Sequence, residues 1–505
     1  MRFGIPAPAT DLLTALLNLV ATQSFSPDEG DVGTHSGGES GQVNAVELRA
    51  RVDDLMSSAH DDLAKLIAIR SVAGSGDHTA AECERAAEWV AETLRGAGFA
   101  HVRLLPVPDA APAVYAERAD AGPSAPTVLL YAHYDVHPAL DEEVWKTPPF
   151  ELTEMDGRWY GRGAADGKGN LLMHLTAVRA LGERLPVNLK VIVEGSAERG
   201  SGSLAHSLGE YADLLAADVF VIGDAGNLAV GVPAITVSLR GQVALSVTVQ
   251  TLSAPREAGP YAGPAPDALA ALLHMLASFR DPAGNTNVMG LDNMSAWAGA
   301  IYAPARFRED AAVLDGVALL GHGAVADSLW ARPAITVLDI DFPVRGEHAM
   351  IQPWARARLD LRVPPHVDEV KAAQALVGHL HTIVPWGAHV RVERESAVPP
   401  FLARAGGPAY AALAESMREV YGEEPAQLGR GGTNPLCVGL AEAFPEAEIL
   451  LIGVEEPLTR RHEPDESVDP AEIADMALVE ALFLRRCGRV SPMAGEDPGG
   501  GGPGR

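Results

Sequence analysis

The feature that most restricts the fold is a short apolar run at residues 126–133, PTVLLYAH. A strand with one wet face would alternate polar and apolar side chains. A nearly unbroken apolar run of this length reads instead as a strand buried on both faces, as in a parallel sheet between helices. Its surroundings repeat the theme. Residues 79–96 read as a helix capped by Thr79 and stopped by Gly96 or Gly98, and a second helix is expected from Lys168 to about Arg184. Further strands are expected at 188–194 (NLKVIVE) and 217–223 (ADVFVIG). Strands alternating with helices in this way predict an α/β, doubly wound sheet.

The texture changes near residue 233. Residues 234–250 (AITVSLRGQVALSVTVQ) alternate with period two, which predicts a sheet with one exposed face. A helix follows at 266–280, with Pro266 in its first turn, then strands at 335–341, 356–363 and 389–395 around a helix at 367–384. From about residue 403 the first texture returns, with a helix at 408–421, a strand at 447–453 and a helix at 470–486. The expected organisation is therefore a catalytic α/β domain in two parts, 45–236 and 403–487, interrupted by a two-layer α+β domain at 237–402. A chain of 505 residues has room for this at about 150 residues per domain. Residues 1–23 read as a short amphipathic helix rather than a secretory signal, residues 24–43 have the composition of disordered chain, and 488–505 form a Gly-rich tail.

Charge and cysteine content narrow the function. The net charge of −28 argues against nucleic acid or an anionic membrane as partner, since both would repel it. No run of 18 apolar residues is present, so no membrane span is expected. Cys83, Cys437 and Cys487 are too few and too scattered for a disulfide framework or a cysteine metal cage, and a reducing cytoplasm is the expected setting.

The chemistry gathers at strand ends. The 126–133 strand runs into His133-Tyr134-Asp135, and residues two apart share a face, so His133 and Asp135 can cooperate where open α/β sheets collect ligands. A metal-ligating His usually gives its other ring nitrogen to an acceptor, and H-x-D supplies one, though a capped strand end would look the same. Asp166 lies between glycines in GRGAADGKGN (161–170), placed either to bridge two cations or to cap the helix that follows. Glu198 sits where the 188–194 strand gives way to helix, and Glu194, Ser196 and Glu198 would alternate if the strand continued. Asp224 follows the 217–223 strand, and His462 follows the 447–453 strand. Each residue alone reads as an ordinary loop residue. Together these two imidazoles and three carboxylates suit a pair of divalent ions about 3.5–4 Å apart, zinc first, with manganese or cobalt as alternatives.

The motifs YAHYDVHP, GRGAADGKGN, EG-x-x-E-x-GS, GDAGN and RRHEPDES resemble the dinuclear metallopeptidases that include carnosinase, the cytosolic dipeptidases, aminoacylase and glutamate carboxypeptidase, with spacing nearest the carnosinase-like dipeptidases. The resemblance covers residues 45–487 and implies a zinc-peptidase-like catalytic domain with an inserted lid domain that forms a homodimer. It implies one metal at His133, Asp166 and Asp224, a second at Asp166, Glu198 and His462, and Asp135 behind His133. It also implies that Arg362 receives the terminal carboxylate of a peptide-like substrate, for which a guanidinium fork is suited, and that Thr433 in GRGGTNP touches that substrate.

Four positions depart from the family pattern, the mildest being Asp465, which stands where the family often has Asn. The family carries two consecutive glutamates in its third motif, a general base and then a ligand. Here they are Ala197 and Glu198, and a methyl group accepts no proton, where a positioned base contributes about 10²–10⁴-fold. The lid histidine that reaches the substrate carbonyl is replaced by Glu257, and Asn434 stands where the family has an apolar residue. Three readings follow. The first is a dipeptidase-like metallohydrolase with reduced or altered activity on a dipeptide or N-acyl amino acid, using another base such as Glu194, Glu257, Glu455 or Glu456. The second is a catalytically weak metal-binding relative that binds a peptide-like ligand. The third is a dinuclear enzyme with different amide chemistry.

Overall fold

Four parallel strands make the centre of the main sheet, in the spatial order Asn188–Glu194, Thr127–His133, Val219–Gly223 and Glu448–Ile452. The Thr127–His133 strand is buried along all but its first residue, as its apolar run requires. Antiparallel strands flank this centre: Ala113–Arg118 and His101–Leu105 on one side, Ala234–Leu239 and Phe401–Leu402 on the other. The sheet is thus mixed, and a further strand, Ala426–Arg430, pairs in parallel with Ala234–Leu239 outside the central four. The computed structural model describes residues 44–74, 77–108, 110–199, 203–343 and 349–489. The expected N-terminal helix, the 24–43 segment and the tail from 490 lie outside the described residues.

One face of the sheet buries Leu129, Tyr131, Phe220 and Leu451 against Leu204 and Leu208 of the Ser203–Leu215 helix and Leu436 and Leu440 of the Pro435–Ala443 helix. On the other side, helices Ala45–Ala68, Lys168–Leu181 and Pro470–Cys487 pack together. Lys168 is buried, and its Nζ donates to the main-chain oxygens of Leu66 and Ile69 at 2.8 and 2.9 Å, closing the end of the Ala45–Ala68 helix. Burial pushes its ammonium down to about 7.

The period-two run at 234–250 divides between two sheets. Ala234–Leu239 is wholly buried in the main sheet, and Gly241–Gln250 belongs to a second, antiparallel sheet of four strands. Ala334–Asp341, Trp354–Val363, Gly241–Gln250 and His389–Val398 lie side by side there. Helices Ala268–Ala277 and Glu369–Thr382 cover one face, burying Val243, Leu245, Leu272, Leu359 and Leu376 in a second core. Two expected helix starts are corrected. Asp267, not Pro266, begins the first of these helices by accepting from Leu269 N and Ala270 N, and Thr79 falls inside a helix that starts at Asp77. Among the described residues no helix is long and apolar enough to cross a membrane.

Candidate metal centre

The carboxyl ends of the four parallel strands face one point. His133 ends its strand, and its ring Nε2 lies 3.1 Å from Asp166 Oδ1. Gly167 permits this approach, because a Cβ there would stand 2.4 Å from the His133 ring. Asp166 does not cap the following helix, whose N-cap is Gly167 and lacks any side-chain cap bond. Its backbone is held from below by buried Glu466, which accepts from Ala165 N and Asp166 N at 3.2 and 3.1 Å and pairs with Arg162 at 2.6 Å. The other carboxylate oxygen, Asp166 Oδ2, lies 2.9 Å from His462 Nε2, which in turn lies 3.1 Å from Glu198.

Two groups of potential ligand atoms result, His133–Asp166–Asp224 and Asp166–Glu198–His462, each gathered within 4.8 Å and sharing Asp166. His462 is carried in a tight turn with left-handed backbone, φ +64°, an uncommon state for a residue with a side chain. Its ring stacks on His137 at 4.6 Å between centroids. Asp465, also at φ +64°, anchors that turn by accepting from Lys146 N at 2.7 Å.

Asp135 lies behind His133, as its spacing suggests, and has a second task as well. His133 Nδ1 is closest to the main-chain oxygen of Asp135, at 3.0 Å, with the carboxylate 3.5 Å away. That carboxylate accepts from Ala197 N and Glu198 N at 3.1 and 2.9 Å, so it fixes the short turn Ala197–Arg199. The strand therefore stops at Glu194, and the expected alternation onward to Glu198 does not occur. Glu194 itself is occupied in the core, accepting from Tyr131 and Ser196 hydroxyls at 2.8 and 2.9 Å. Glu456 is paired with Arg158. Glu257 stands exposed on the two-residue strand Arg256–Glu257, beside Met350.

Two arginines at the site, Arg430 and Arg461, carry no sequence signal of their own. Arg430 donates to the Asp224 main-chain oxygen and pairs with Glu455 at 2.5 Å. Arg461 Nε meets Asp166 Oδ2 at 2.5 Å, and its Nη1 lies 3.6 Å from Asp224 and 3.5 Å from Glu455. Asn434 donates to Asp224 Oδ2 at 2.9 Å and caps the Pro435–Ala443 helix. An Asn followed by Pro is a readable helix start, although its second bond to Asp224 is not. Arg362 donates to Asp360 at 2.7 Å and to Gly431 O at 3.3 Å, which ties the second sheet to the loop that carries Thr433.

Burial would raise the Asp166 carboxyl, but the imidazoles of His133 and His462 overcome it and hold it well below the carboxylate range. Burial, with Asp166 nearby, lifts Glu198 to about 7, and burial lifts Glu455 to about 8 despite Arg430. Burial would lower His462, but its two carboxylate partners outweigh it and raise the imidazole to about 10. A cluster under this tension is suited to a positive ion. Buried Asp224 Oδ1 also accepts no hydrogen bond among the described residues. Imidazole nitrogen with carboxylate oxygen is the donor set of zinc and related divalent ions, so the residues fit such a centre.

A mixed α/β sheet with this cluster at its carboxyl edge, and a second sheet beside it, is an arrangement suited to a divalent-metal centre. The chain belongs to peptidase family M20/M25/M40, whose model matches residues 129–486. It is 42% identical over 413 residues to the cysteinylglycine-S-conjugate dipeptidase of Corynebacterium striatum, spanning 80% of this chain and 90% of that one. It is 28% identical over 366 residues to the human Beta-Ala-His dipeptidase, spanning 69% and 71%. The crystal structure of human carnosine dipeptidase 1 superposes with a TM-score of 0.75 at 24% identity, covering 88% of this chain and 99% of that one, a likeness of fold. The expected α/β class and the family resemblance both stand.

Proposed function

We propose that the protein is a metal-dependent hydrolase of dipeptide-like or N-acyl amino acid amides, with chemistry altered at the position of the base. The observation that carries this reading is the pair of ligand sets sharing Asp166. His133, Asp166 and Asp224 would hold one divalent ion, and Asp166, Glu198 and His462 the other, zinc being the first candidate. Such ions polarise a carbonyl and bring the pKa of water toward about 7.

The chain's own residues then supply the rest. Asp135 orients the Ala197–Glu198 turn, and Arg362, held by Asp360, offers a guanidinium to a substrate carboxylate near the Thr433 loop. Ala197 presents only a methyl group where a proton acceptor is expected. Among the candidate replacements, Glu455 lies inside the cluster, where it pairs with Arg430, whereas the partners of Glu194 and Glu456, Tyr131 and Arg158, lie outside it. The guanidinium of Arg362 and the likeness to two dipeptidases support a small peptide-like substrate with a free carboxylate.

A second reading, a metal-binding relative of low catalytic power, is favoured by Ala197 together with the two arginines at the cluster. We further propose that residues 237–402 form a lid and homodimer surface, and that the three buried free thiols belong in a reducing cytoplasm. The test is purified protein under metal analysis and a dipeptide panel that includes a Cys-Gly S-conjugate and a β-Ala-His dipeptide. Uptake of divalent ions with hydrolysis supports the first reading, uptake with no hydrolysis the second, and no uptake at neutral pH overturns the site.

A further inference from the structure

Resting on that reading of the metal sites, one side chain in the cluster remains unexplained. Arg461 is a cation placed among the groups a metal would use. Its Nε lies 2.5 Å from Asp166 Oδ2, an oxygen of the shared carboxylate, and 3.2 Å from His462 Nε2. Its Nη1 reaches toward Asp224 Oδ1 at 3.6 Å and Glu455 Oε2 at 3.5 Å. A single guanidinium therefore spans a member of each ligand set and the carboxylate between them.

We propose that Arg461 is a built-in competitor for the divalent ions, a guanidinium that neutralises Asp166 and Asp224 and must swing out before a metal can be held at the shared carboxylate. Three features make this displacement feasible. The Arg461 side chain is 31% exposed, while Asp166 is buried, so the arginine has solvent to move into and the carboxylate does not. A guanidinium donates hydrogen bonds but has no lone pair to offer a metal, so it and the ion exclude each other at one oxygen. Arg430 stays behind, fixed by Glu455 and the Asp224 main-chain oxygen, so Asp224 is never without a cationic neighbour. Metal is then held less tightly than the ligand set alone would dictate, because binding must first displace the guanidinium. Because Arg461 is joined directly to His462, its departure also moves the turn that carries a ligand.

The test compares zinc binding by calorimetry, and thermal stability with and without zinc, in the full-length protein and in Arg461→Gln. The neutral side chain should tighten zinc at least about tenfold, lower the stability of metal-free protein and enlarge the stabilisation that zinc confers. A merely structural arginine would lower stability without tightening zinc. Arg461→Lys, which keeps the charge, should stay within a few-fold of the parent affinity, and it serves alone if the glutamine variant does not fold: a lysine variant that binds zinc tenfold tighter than the parent overturns competition by charge. Zinc affinity equal or weaker in Arg461→Gln overturns the inference while leaving the metal site intact. No zinc uptake by either protein overturns both the inference and the site.

Discussion

The carboxyl edge of the parallel strands and the turn that carries Glu257 stand at opposite ends of one expected reaction, and the chain treats them differently. At the strand edge both ligand sets are present, with His133 and the shared Asp166 buried and Asp224, Glu198 and His462 partly so, and they are braced by Glu466, Asp135 and Gly167. In the lid, the position expected to face the substrate carbonyl carries an exposed carboxylate on a two-residue strand. Ala197 belongs with the second group although it adjoins the first: its backbone is held by Asp135, but its side chain contributes no proton acceptor. The contrast teaches that holding a metal and moving a proton are separable in this fold. The first needs a rigid, low-dielectric frame, and the second needs one or two side chains that can be exchanged without disturbing it.

The most drastic way to break the comparison is to remove the shared ligand. Asp166→Ala should take bound divalent metal from about two per chain to none, as measured by metal analysis after dialysis, because it is common to both sets. Retention of one ion would mean that the two sets are independent and that Asp166 does not bridge them. The second test restores the missing function. Ala197→Glu should raise dipeptide hydrolysis by about 10²-fold or more with metal content unchanged. Glu257→His should add to that gain only in the restored background, since both positions act on one transition state. No gain in either variant, with metal bound, would separate this protein from its dipeptidase relatives in substrate rather than in efficiency.

The strand edge is also the more legible of the two regions from sequence, for physical reasons. A buried parallel strand needs an unbroken apolar run, and its carboxyl end is where such sheets bind ligands, so the gathering of His133, Asp224 and His462 after successive strands, together with Asp166 and Glu198, is what points to the site. What escapes the sequence lies in turns. The alternation from Glu194 to Glu198 presumes a continuing strand, whereas Asp135 draws the chain into a short turn by taking two backbone N–H groups. Asp166 reads equally well as a helix cap, and only the folded chain turns its two oxygens toward two imidazoles. Arg430, Arg461 and Glu466 meet the cluster through long-range contacts that no local pattern encodes. The run at 234–250 hides a change of sheet because period-two alternation fits either sheet, and only Arg240-Gly241 marks the crossing.

A middle-sized effect probes the frame itself. Gly167→Ala places a Cβ 2.4 Å from the His133 ring, which cannot be accommodated without moving a ligand. Overpacking of this kind costs about 1–3 kcal/mol, and here it should also weaken zinc uptake. Thermal denaturation and zinc calorimetry on the same variant check both, and a stable protein with unaltered zinc affinity would show that the His133 position is less constrained than its surroundings imply.

The smallest expected effect divides a fold role from a site role within one residue. Asn434 Oδ1 accepts from Leu436 N and Cys437 N, capping the Pro435–Ala443 helix, while its Nδ2 donates to Asp224 Oδ2 at 2.9 Å. Asn434→Ala removes both and should cost about 1 kcal/mol, the usual worth of an N-cap. Asn434→Asp keeps the cap acceptor but cannot donate, and it sets a second carboxylate against Asp224. If the cap is the main role, the aspartate variant should match the parent in stability when metal is bound. If the bond to Asp224 is the main role, the aspartate variant should lose stability in metal-free protein and regain it with zinc, since a divalent ion screens the two carboxylates from each other. A zinc-induced rise in melting temperature no larger in Asn434→Asp than in the parent, with Asn434→Ala alone destabilised, would remove Asn434 from the metal centre and leave it a helix cap.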